Sequence, residues 1–250
     1  MNCGMNRCDG STVSAVVSAL GWGAIAAVSL AIGAVLAVVR DWRAGIVGGV
    51  LSFGAGALIS SISFELAQEG LRLGGPISVA AGLAIGALTF YLADRAVSKV
   101  GGRAGGGAAG LPLALGALLD GIPEQAVLGI GLATGKGVSV ALLVAIFISN
   151  LPEAIGSASD MHSSGKSRKA IVGLWAAVAV VCALATLGGY VIARAAGGQV
   201  TAGIDGFAAG ALLVMLIDSM IPEAQKKAGN AAGLITVLGF AVAAALSQLT

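Results

Sequence analysis

Two short motifs carry the side chains that could do chemistry. They read Asp-Gly-Ile-Pro-Glu over residues 120–124 and Ser-Asn-Leu-Pro-Glu over residues 149–153. In each motif a polar residue precedes a glutamate by four positions, so the two side chains lie on one face of a helix. Each proline lacks a backbone N–H and therefore leaves the carbonyl oxygen four residues before it, of Leu119 or Ile148, without its usual donor.

Such oxygen atoms, brought together by two packed helices, would suit a divalent cation. Carboxylate, hydroxyl, amide and carbonyl oxygens are the ligands that hard metal ions prefer. We therefore predict a metal site formed by Asp120, Glu124, Ser149, Asn150 and Glu153. The alternative is that the prolines only bend the helices, while the carboxyl groups are protonated and hydrogen-bonded to their neighbours. The spacing does not choose the metal.

Both motifs lie in long apolar runs. Of the 250 residues 57% are hydrophobic and 10% are charged, whereas soluble domains carry roughly 25% charged residues. This composition predicts an all-α membrane protein with residues 1–250 forming a single integral membrane domain. It argues against a soluble enzyme, and a net charge of +2 is too small to indicate a nucleic-acid partner. We expect the lipid bilayer as a partner, no enzymatic activity and no prosthetic group.

The apolar runs predict eight transmembrane helices, each long enough for a hydrocarbon core of roughly 30 Å. We expect a short disordered tail over residues 1–12 and a glycine-rich linker over residues 98–110. The first apolar run is too long for a cleavable signal peptide. The predicted spans are Val13–Val39, Ala44–Gln68, Gly75–Ala96, Ala108–Thr134, Val138–Asp160, Ala170–Ile192, Ala202–Ala224 and Ala231–Leu249.

The positions of the basic residues predict the orientation of these spans. Ten of the 14 Lys and Arg residues fall in the odd-numbered connections, and basic connections stay on the cytoplasmic side. We therefore predict a multi-pass protein of the cell membrane, of the bacterial inner membrane if the source is bacterial, with both termini extracytoplasmic.

Acidic residues within the spans are the main functional signal. A carboxylate near the middle of the membrane costs about 2.5–3.5 kcal/mol on insertion scales, and no Lys or Arg lies in the interior of a span to compensate it. We expect these acids to face inward, where protons, water, hydrogen-bond donors or a metal cation would compensate them. Besides the metal-site residues, the candidates for the path by which an ion enters or leaves are Glu65, Glu69, Gln125, Asp218 and Glu223.

An internal similarity relates the second and seventh spans. Residues 53–58 resemble residues 207–212 at an offset of 154, here called the repeat offset, which also carries Glu69 onto Glu223. With three spans on either side of a central pair, the pattern predicts a 3+2+3 arrangement of inverted repeats, which is typical of transporters. Chance matching of small residues is the alternative. Glycines four apart, at 82 and 86, 206 and 210, and 229 and 233, predict close helix packing.

The two motifs resemble those of the ZIP family of zinc and iron permease-like transporters. That family has eight spans in a 3+2+3 arrangement, with a transport site on spans four and five that is built from His-Asn-x-Pro-Glu-Gly and a related Pro-Glu-Gly motif. The resemblance implies that Glu124 and Glu153 are the central metal ligands, with Asp120 in place of the first histidine. Gln125 and Ala154 replace the motif glycines.

The function expected from this resemblance is transport of a divalent metal ion by alternating access. Zinc is the substrate that the family implies, while the absence of motif histidines admits iron, manganese or another hard ion. Some members of the family supply a glutamate from the sixth span to a second metal ion. The sixth span has no acid here, so the resemblance does not extend to a second metal site. A second copy of the chain, as a homodimer, is a further partner hypothesis.

Three other functions stay open. The carboxylates would also suit a proton-coupled carrier of a small organic solute. A metal sensor or scaffold would bind the ion without moving it. An intramembrane aspartyl protease would need Asp120 and Asp218 to share one proton, but neither aspartate stands in the sequence context of such enzymes.

Overall fold

The computed structural model describes residues 5–103, 110–133 and 138–248, and this part of the chain is helical without strands. Two segments have π-helical geometry, Ile62–Ala67 and Leu216–Met220, and Gly229–Ala231 forms one 3-10 turn. The helices are α1 (Met5–Val39), α2 (Ala44–Ser61), α3 (Gln68–Arg103), α4 (Gly110–Ala133), α5 (Val140–Ser163), α6 (Arg168–Ala195), α7 (Gly198–Met215), α8 (Ile221–Ala228) and α9 (Ala232–Ser247).

Six helical runs among the described residues are long and apolar enough to cross a membrane. The predicted class of multi-pass helical membrane protein is therefore confirmed. Two of the six runs are far longer than a bilayer requires, at 56 residues for Ala44–Lys99 and 50 residues for Gly198–Ser247. A straight helix of that length would extend about 75–85 Å, against a hydrocarbon core of roughly 30 Å.

Each of these long runs contains a break at a glycine. Gly75 has φ 79° and ψ 176°, and Gly229 has φ 60° and ψ −139°. Glycine adopts such positive φ angles readily because it lacks a Cβ atom. The breaks lie where the third and eighth spans are predicted to begin, at Gly75 and Ala231. The number of eight passes stays a prediction.

The repeat offset relates element boundaries as well as sequence. Helices α2 and α7 each contain 18 residues, and their first residues, Ala44 and Gly198, are separated by this offset. The two π-helical segments that follow them begin at Ile62 and Leu216, which are the same offset apart. Gly75 and Gly229, the two broken positions, are separated by the same distance along the chain.

Glycines bring α3 and α7 into close contact. A Cβ atom on Gly82, Gly86, Gly206 or Gly210 would overlap the backbone of the facing helix, so the first two predicted pairs do serve helix packing. The third pair does not: nothing lies within 4 Å of the Cβ positions of residues 229 and 233. Gly229 is instead required for the turn between α8 and α9.

The remaining helices also pack against one another. Helix α2 lies against α9, where Gly239 contacts the backbone of Phe53. Helix α1 packs on both α5 and α6, and α4 packs on α6. Ser139 stabilises the start of α5, because its Oγ accepts a hydrogen bond from the backbone N–H of Leu142 at 3.1 Å. These contacts hold α4 and α5 inside the bundle.

Two boundary predictions are wrong. Helix α1 begins at Met5, so residues 5–12 are not a disordered tail, and α3 continues to Arg103 through the first half of the predicted linker. Extending an existing helix by one residue adds a hydrogen bond at little cost, which carries helices beyond their apolar runs. Residues 1–4 and 104–109 lie outside the described residues.

We expect the Gly86→Val substitution to destabilise the protein strongly, because its side chain would overlap the backbone of Phe207 in α7. Overpacking of this kind costs about 1–3 kcal/mol or more. The midpoint of thermal unfolding in detergent would fall clearly below that of the wild type. The matched control is Gly173→Val on α6, where nothing lies within 4 Å of the Cβ position. Equal midpoints for the two variants would contradict the close packing of α3 and α7.

Candidate functional site

Helices α4 and α5 bring the two motifs into contact. The Oγ atom of Ser149 lies 3.3 Å and 3.4 Å from the two carboxylate oxygens of Glu124 and 3.0 Å from the carbonyl oxygen of Ile146, so these acceptors compete for its one proton. Glu124 is 1% exposed and Ser149 is fully buried. The predicted convergence of these two faces is therefore present, at the level of Glu124 and Ser149.

Asn150, next to Ser149, has an unusual environment. Its side chain is 1% exposed, yet neither its amide oxygen nor its amide nitrogen has a hydrogen-bond partner within the described part of the chain. Leaving a buried polar group without a partner costs roughly 1–3 kcal/mol. The Asn150 amide is thus a buried polar group without a partner among the described residues, and it is adjacent in sequence to Ser149, which contacts Glu124.

A pair of acids lies one helical turn away. Asp120 is four residues before Glu124 on α4, and its carboxyl group lies within hydrogen-bonding reach of the Glu153 carboxyl group on α5. Two carboxyl groups form a hydrogen bond only when they hold a proton between them. Glu153 also lies near enough to Glu223 of α8 for their charges to interact.

No three His, Cys, Asp or Glu side chains in the described ranges are grouped so that they could hold a metal ion. The acids are instead divided between the Glu124–Ser149 contact and the Asp120–Glu153 pair. A metal ion bound here would need oxygen atoms of Ser149 and Asn150 in addition to the carboxylates. Amide and hydroxyl oxygens are suitable ligands for hard cations.

Two cavities approach these residues. The first, here called the Glu65 cavity, has a volume of about 340 Å³ and is lined by Glu65, Glu69, Ser139 and Asp205 among others. The second, here called the Asp120 cavity, has a volume of about 220 Å³, and its polar lining comprises Asp120, Glu153, Ser157, Asp160, Ser219 and Glu223. Both volumes exceed the space of roughly 30 Å³ that one water molecule occupies in the liquid.

The two cavities lie at opposite ends of α4 and α5. Helix α4 contributes residues 127–131 to the Glu65 cavity and residues 116–120 to the Asp120 cavity. Helix α5 and the residues before it contribute 138–142 to the first cavity and 153–160 to the second. Because a helix is a rod, Glu124, Ser149 and Asn150 occupy the layer between the cavities.

The residues predicted for an ion path are placed differently from one another. Glu65 and Glu69 line the first cavity and Glu223 lines the second. Gln125 is fully buried between helices, where its Oε1 accepts a hydrogen bond from Thr186 at 2.8 Å. It contributes to neither cavity lining.

Asp218 was predicted to face inward, and it does not. It is exposed, whereas Met220 two residues later is buried and lines the Asp120 cavity. Residues two apart in a helical segment point in nearly opposite directions, so the exposed Asp218 faces away from that cavity. Asp120 and Asp218 consequently do not form the carboxyl pair that an aspartyl protease needs.

Sequence reasoning missed Asp205 and Ser139. Asp205 is 2% exposed on α7 and lines the Glu65 cavity. It was recognisable as an acid within the seventh predicted span. Ser139 lies within hydrogen-bonding reach of Glu65, a contact between distant segments that no local pattern indicates.

Comparison with models of known protein families gives no match for this chain, and comparison with curated proteins gives none either. The ZIP-like character of residues 120–124 and 149–153 therefore stays a resemblance of short motifs.

We expect Thr186→Val to destabilise the protein by about 1–3 kcal/mol, because the buried Gln125 carbonyl would lose its donor. Unfolding in a denaturing detergent series would measure the loss. The matched control is Thr89→Val, since the exposed Thr89 hydroxyl donates only to the Ile85 carbonyl of its own helix. A loss no greater than that of the control would contradict the importance of this contact between α4 and α6.

We expect cysteines introduced at the two cavities to react from opposite sides of a membrane. Ser139→Cys lies in the Glu65 cavity and Ser157→Cys in the Asp120 cavity. In protein carrying Cys3→Ser and Cys8→Ser, a membrane-impermeant thiol reagent should label each variant from one side only, and from different sides. Cys182 is fully buried and is left in place. Labelling of both positions from the same side would contradict the arrangement.

Proposed function

We propose that the protein is a transporter of divalent metal cations that resembles the ZIP family. The observation that carries this proposal is the Asn150 side chain, which is buried without a partner in the described part of the chain and lies, like Glu124, in the layer between two cavities. A buried amide of this kind is stabilised when its oxygen binds a cation that crosses the layer.

The substrate ion would first contact the carboxylates of one cavity and lose part of its hydration shell. In the central layer Glu124, Ser149 and Asn150 supply carboxylate, hydroxyl and amide oxygens in place of water. Asp120 and Glu153 then provide the next carboxylates toward the second cavity. Zinc is the ion that the resemblance implies, and this oxygen-only set also suits iron or manganese.

Eight passes in a 3+2+3 inverted repeat are part of the proposal. The repeat offset, which relates α2 to α7, the two π-helical segments to each other, and Gly75 to Gly229, supports it. Contacts between helices support it too. Exchanging the two halves maps the α2–α9 contact onto α7–α3 and the α1–α5 contact onto α6–α4, as a two-fold axis through α4 and α5 would.

The proposed orientation follows from the basic residues. With both termini extracytoplasmic, the ends of α1, α3, α5 and α8 face the cytoplasm. The Asp120 cavity then opens toward the cytoplasm and the Glu65 cavity toward the outside of the cell membrane. Movement of α4 and α5 relative to α2 and α7 would expose the central layer to each side in turn, which is alternating access.

One observation favours a second candidate, the proton-coupled carrier of an organic solute. The Asp120 and Glu153 carboxyl groups face each other across α4 and α5, and one proton shared between them would hold them together when no metal ion is bound. The two functions differ in what the carboxyl groups exchange. Because metal binding requires the deprotonated form, protons would compete with the ion for the same groups.

We expect vesicles containing the purified protein to take up Zn²⁺ or Mn²⁺, and the double substitution Glu124→Gln, Glu153→Gln to reduce the initial rate by at least about tenfold. The physical reason is that neutral amides remove the charge that offsets dehydration of the ion. The matched control is Asp218→Asn, because Asp218 is an exposed acid outside both cavities.

Three results would separate the candidates. Metal uptake that the double substitution leaves unchanged, in protein shown to be folded and inserted, would overturn the proposed site. Metal binding without uptake would support a sensor or scaffold. Proton movement driven by an organic solute, without metal flux, would support the second candidate.

A further inference from the structure

A lysine side chain lies at the edge of the Asp120 cavity. The ammonium nitrogen of Lys227 is 2.6 Å from Oε1 of Glu223, one of the carboxylates that line this cavity. The Lys227 side chain is only 22% exposed, whereas that of Glu223 is 50% exposed. The Lys227 side chain is thus turned inward, whereas half of the Glu223 side chain remains exposed.

Two glycines hold this lysine in place. The Cβ atom of Lys227 lies 2.6 Å from the position that a Cβ atom on Gly48 would occupy, so the start of its side chain packs directly on the backbone of α2. At its other end, the ammonium nitrogen lies 3.0 Å from the Cβ position of Gly156 on α5. A side chain at residue 156 would occupy the space beside the ammonium group. Neighbouring Lys226 is exposed instead.

The ammonium group of Lys227 lies against the part of α5 that carries Glu153. Gly156 follows Glu153 by three residues on α5, and residues three apart lie on one helix face with Cβ atoms about 5–6 Å apart. Glu153 also interacts electrostatically with Glu223, the partner of Lys227. A positive charge beside a partly buried group of acids opposes the binding of another cation to those acids.

We propose that Lys227 is a counter-cation of the Asp120 cavity that sets how tightly a metal ion is held before release. Its ammonium group compensates Glu223 when no metal ion is near. When an ion reaches Asp120 and Glu153, the same charge repels it and favours its departure. The inference rests on the proposed transport function and adds to it a residue that controls release.

The test measures Mn²⁺ binding to the purified full-length protein, from the paramagnetic resonance signal of the free ion, together with Mn²⁺ uptake into vesicles. Lys227→Gln is expected to lower the Kd for Mn²⁺ by about tenfold, because it removes a nearby positive charge, and to slow uptake at saturating Mn²⁺. The matched control Lys226→Gln removes the same charge from the exposed neighbour and should change the Kd by less than about twofold.

Two further variants separate charge from structure. The double substitution Lys227→Gln, Glu223→Gln restores the charge balance of the cavity and should return the Kd toward the wild-type value. Gly156→Val keeps the lysine but fills the space beside its ammonium group, which a Cβ atom alone already approaches to 3.0 Å, so the Kd should fall in the same direction as for Lys227→Gln. The elution profile and thermal midpoint of each variant show whether it is folded.

A Kd for Lys227→Gln equal to that of Lys226→Gln would overturn the proposal. So would a double substitution no different from Lys227→Gln alone, since Lys227 would then only anchor α8. If Lys227→Gln does not fold, the Kd of Gly156→Val decides the question. Failure of the transport function has a different signature: the wild type itself would show neither Mn²⁺ binding nor uptake that depends on Glu124 and Glu153.

Discussion

Burial of the Glu124 carboxylate, without a basic partner among the described residues, is the constraint on which the rest of this structure depends. Glu124 is almost completely buried, and the described ion pairs Arg72–Glu69 and Lys227–Glu223 engage other acids. The protein compensates Glu124 with a serine hydroxyl from the neighbouring helix and lets Asp120 and Glu153 approach each other. Each solution needs α4 and α5 to be held in register, because a shift of one residue would rotate a side chain by about 100°.

Glycine provides that register. Close contacts of α3 with α7 and of α2 with α9 place backbone against backbone at residues such as Gly86 and Gly239, and so define how far each helix extends past its neighbour. The same helix pairs surround α4 and α5 from both sides. Correspondence of elements at the repeat offset gives the two ends of the bundle similar walls, and each end contains one polar cavity. Because similar helices line the two cavities, an ion from either cavity would reach the same central layer, although the acids in the two cavities differ.

Much of this could be predicted from particular residues. The Pro-Glu motifs predicted that Glu124 and Ser149 meet if their helices pack face to face, and they do; four-residue spacing defines each helix face irrespective of tertiary context, and helix packing brings the faces together. Apolar runs predicted the class of helical membrane protein because hydropathy, too, is a local property of the sequence. The tail before Val13 and the first half of the linker were mispredicted, because helices extend through residues that no apolar pattern marks. Asp218 was mispredicted because its direction depends on the π-helical segment Leu216–Met220.

By itself, the sequence determined the class of protein, the helix faces that carry the acids and the repeat offset between the second and seventh spans. These properties are local, since they follow from hydropathy and from the period of the helix. Only the tertiary structure decided that Asn150 is buried without a partner among the described residues, that Asp205 and Ser139 line a cavity, and that Lys227 lies against Gly156. Each of these depends on contacts between segments far apart in the chain, and such contacts are set by the packing of whole helices.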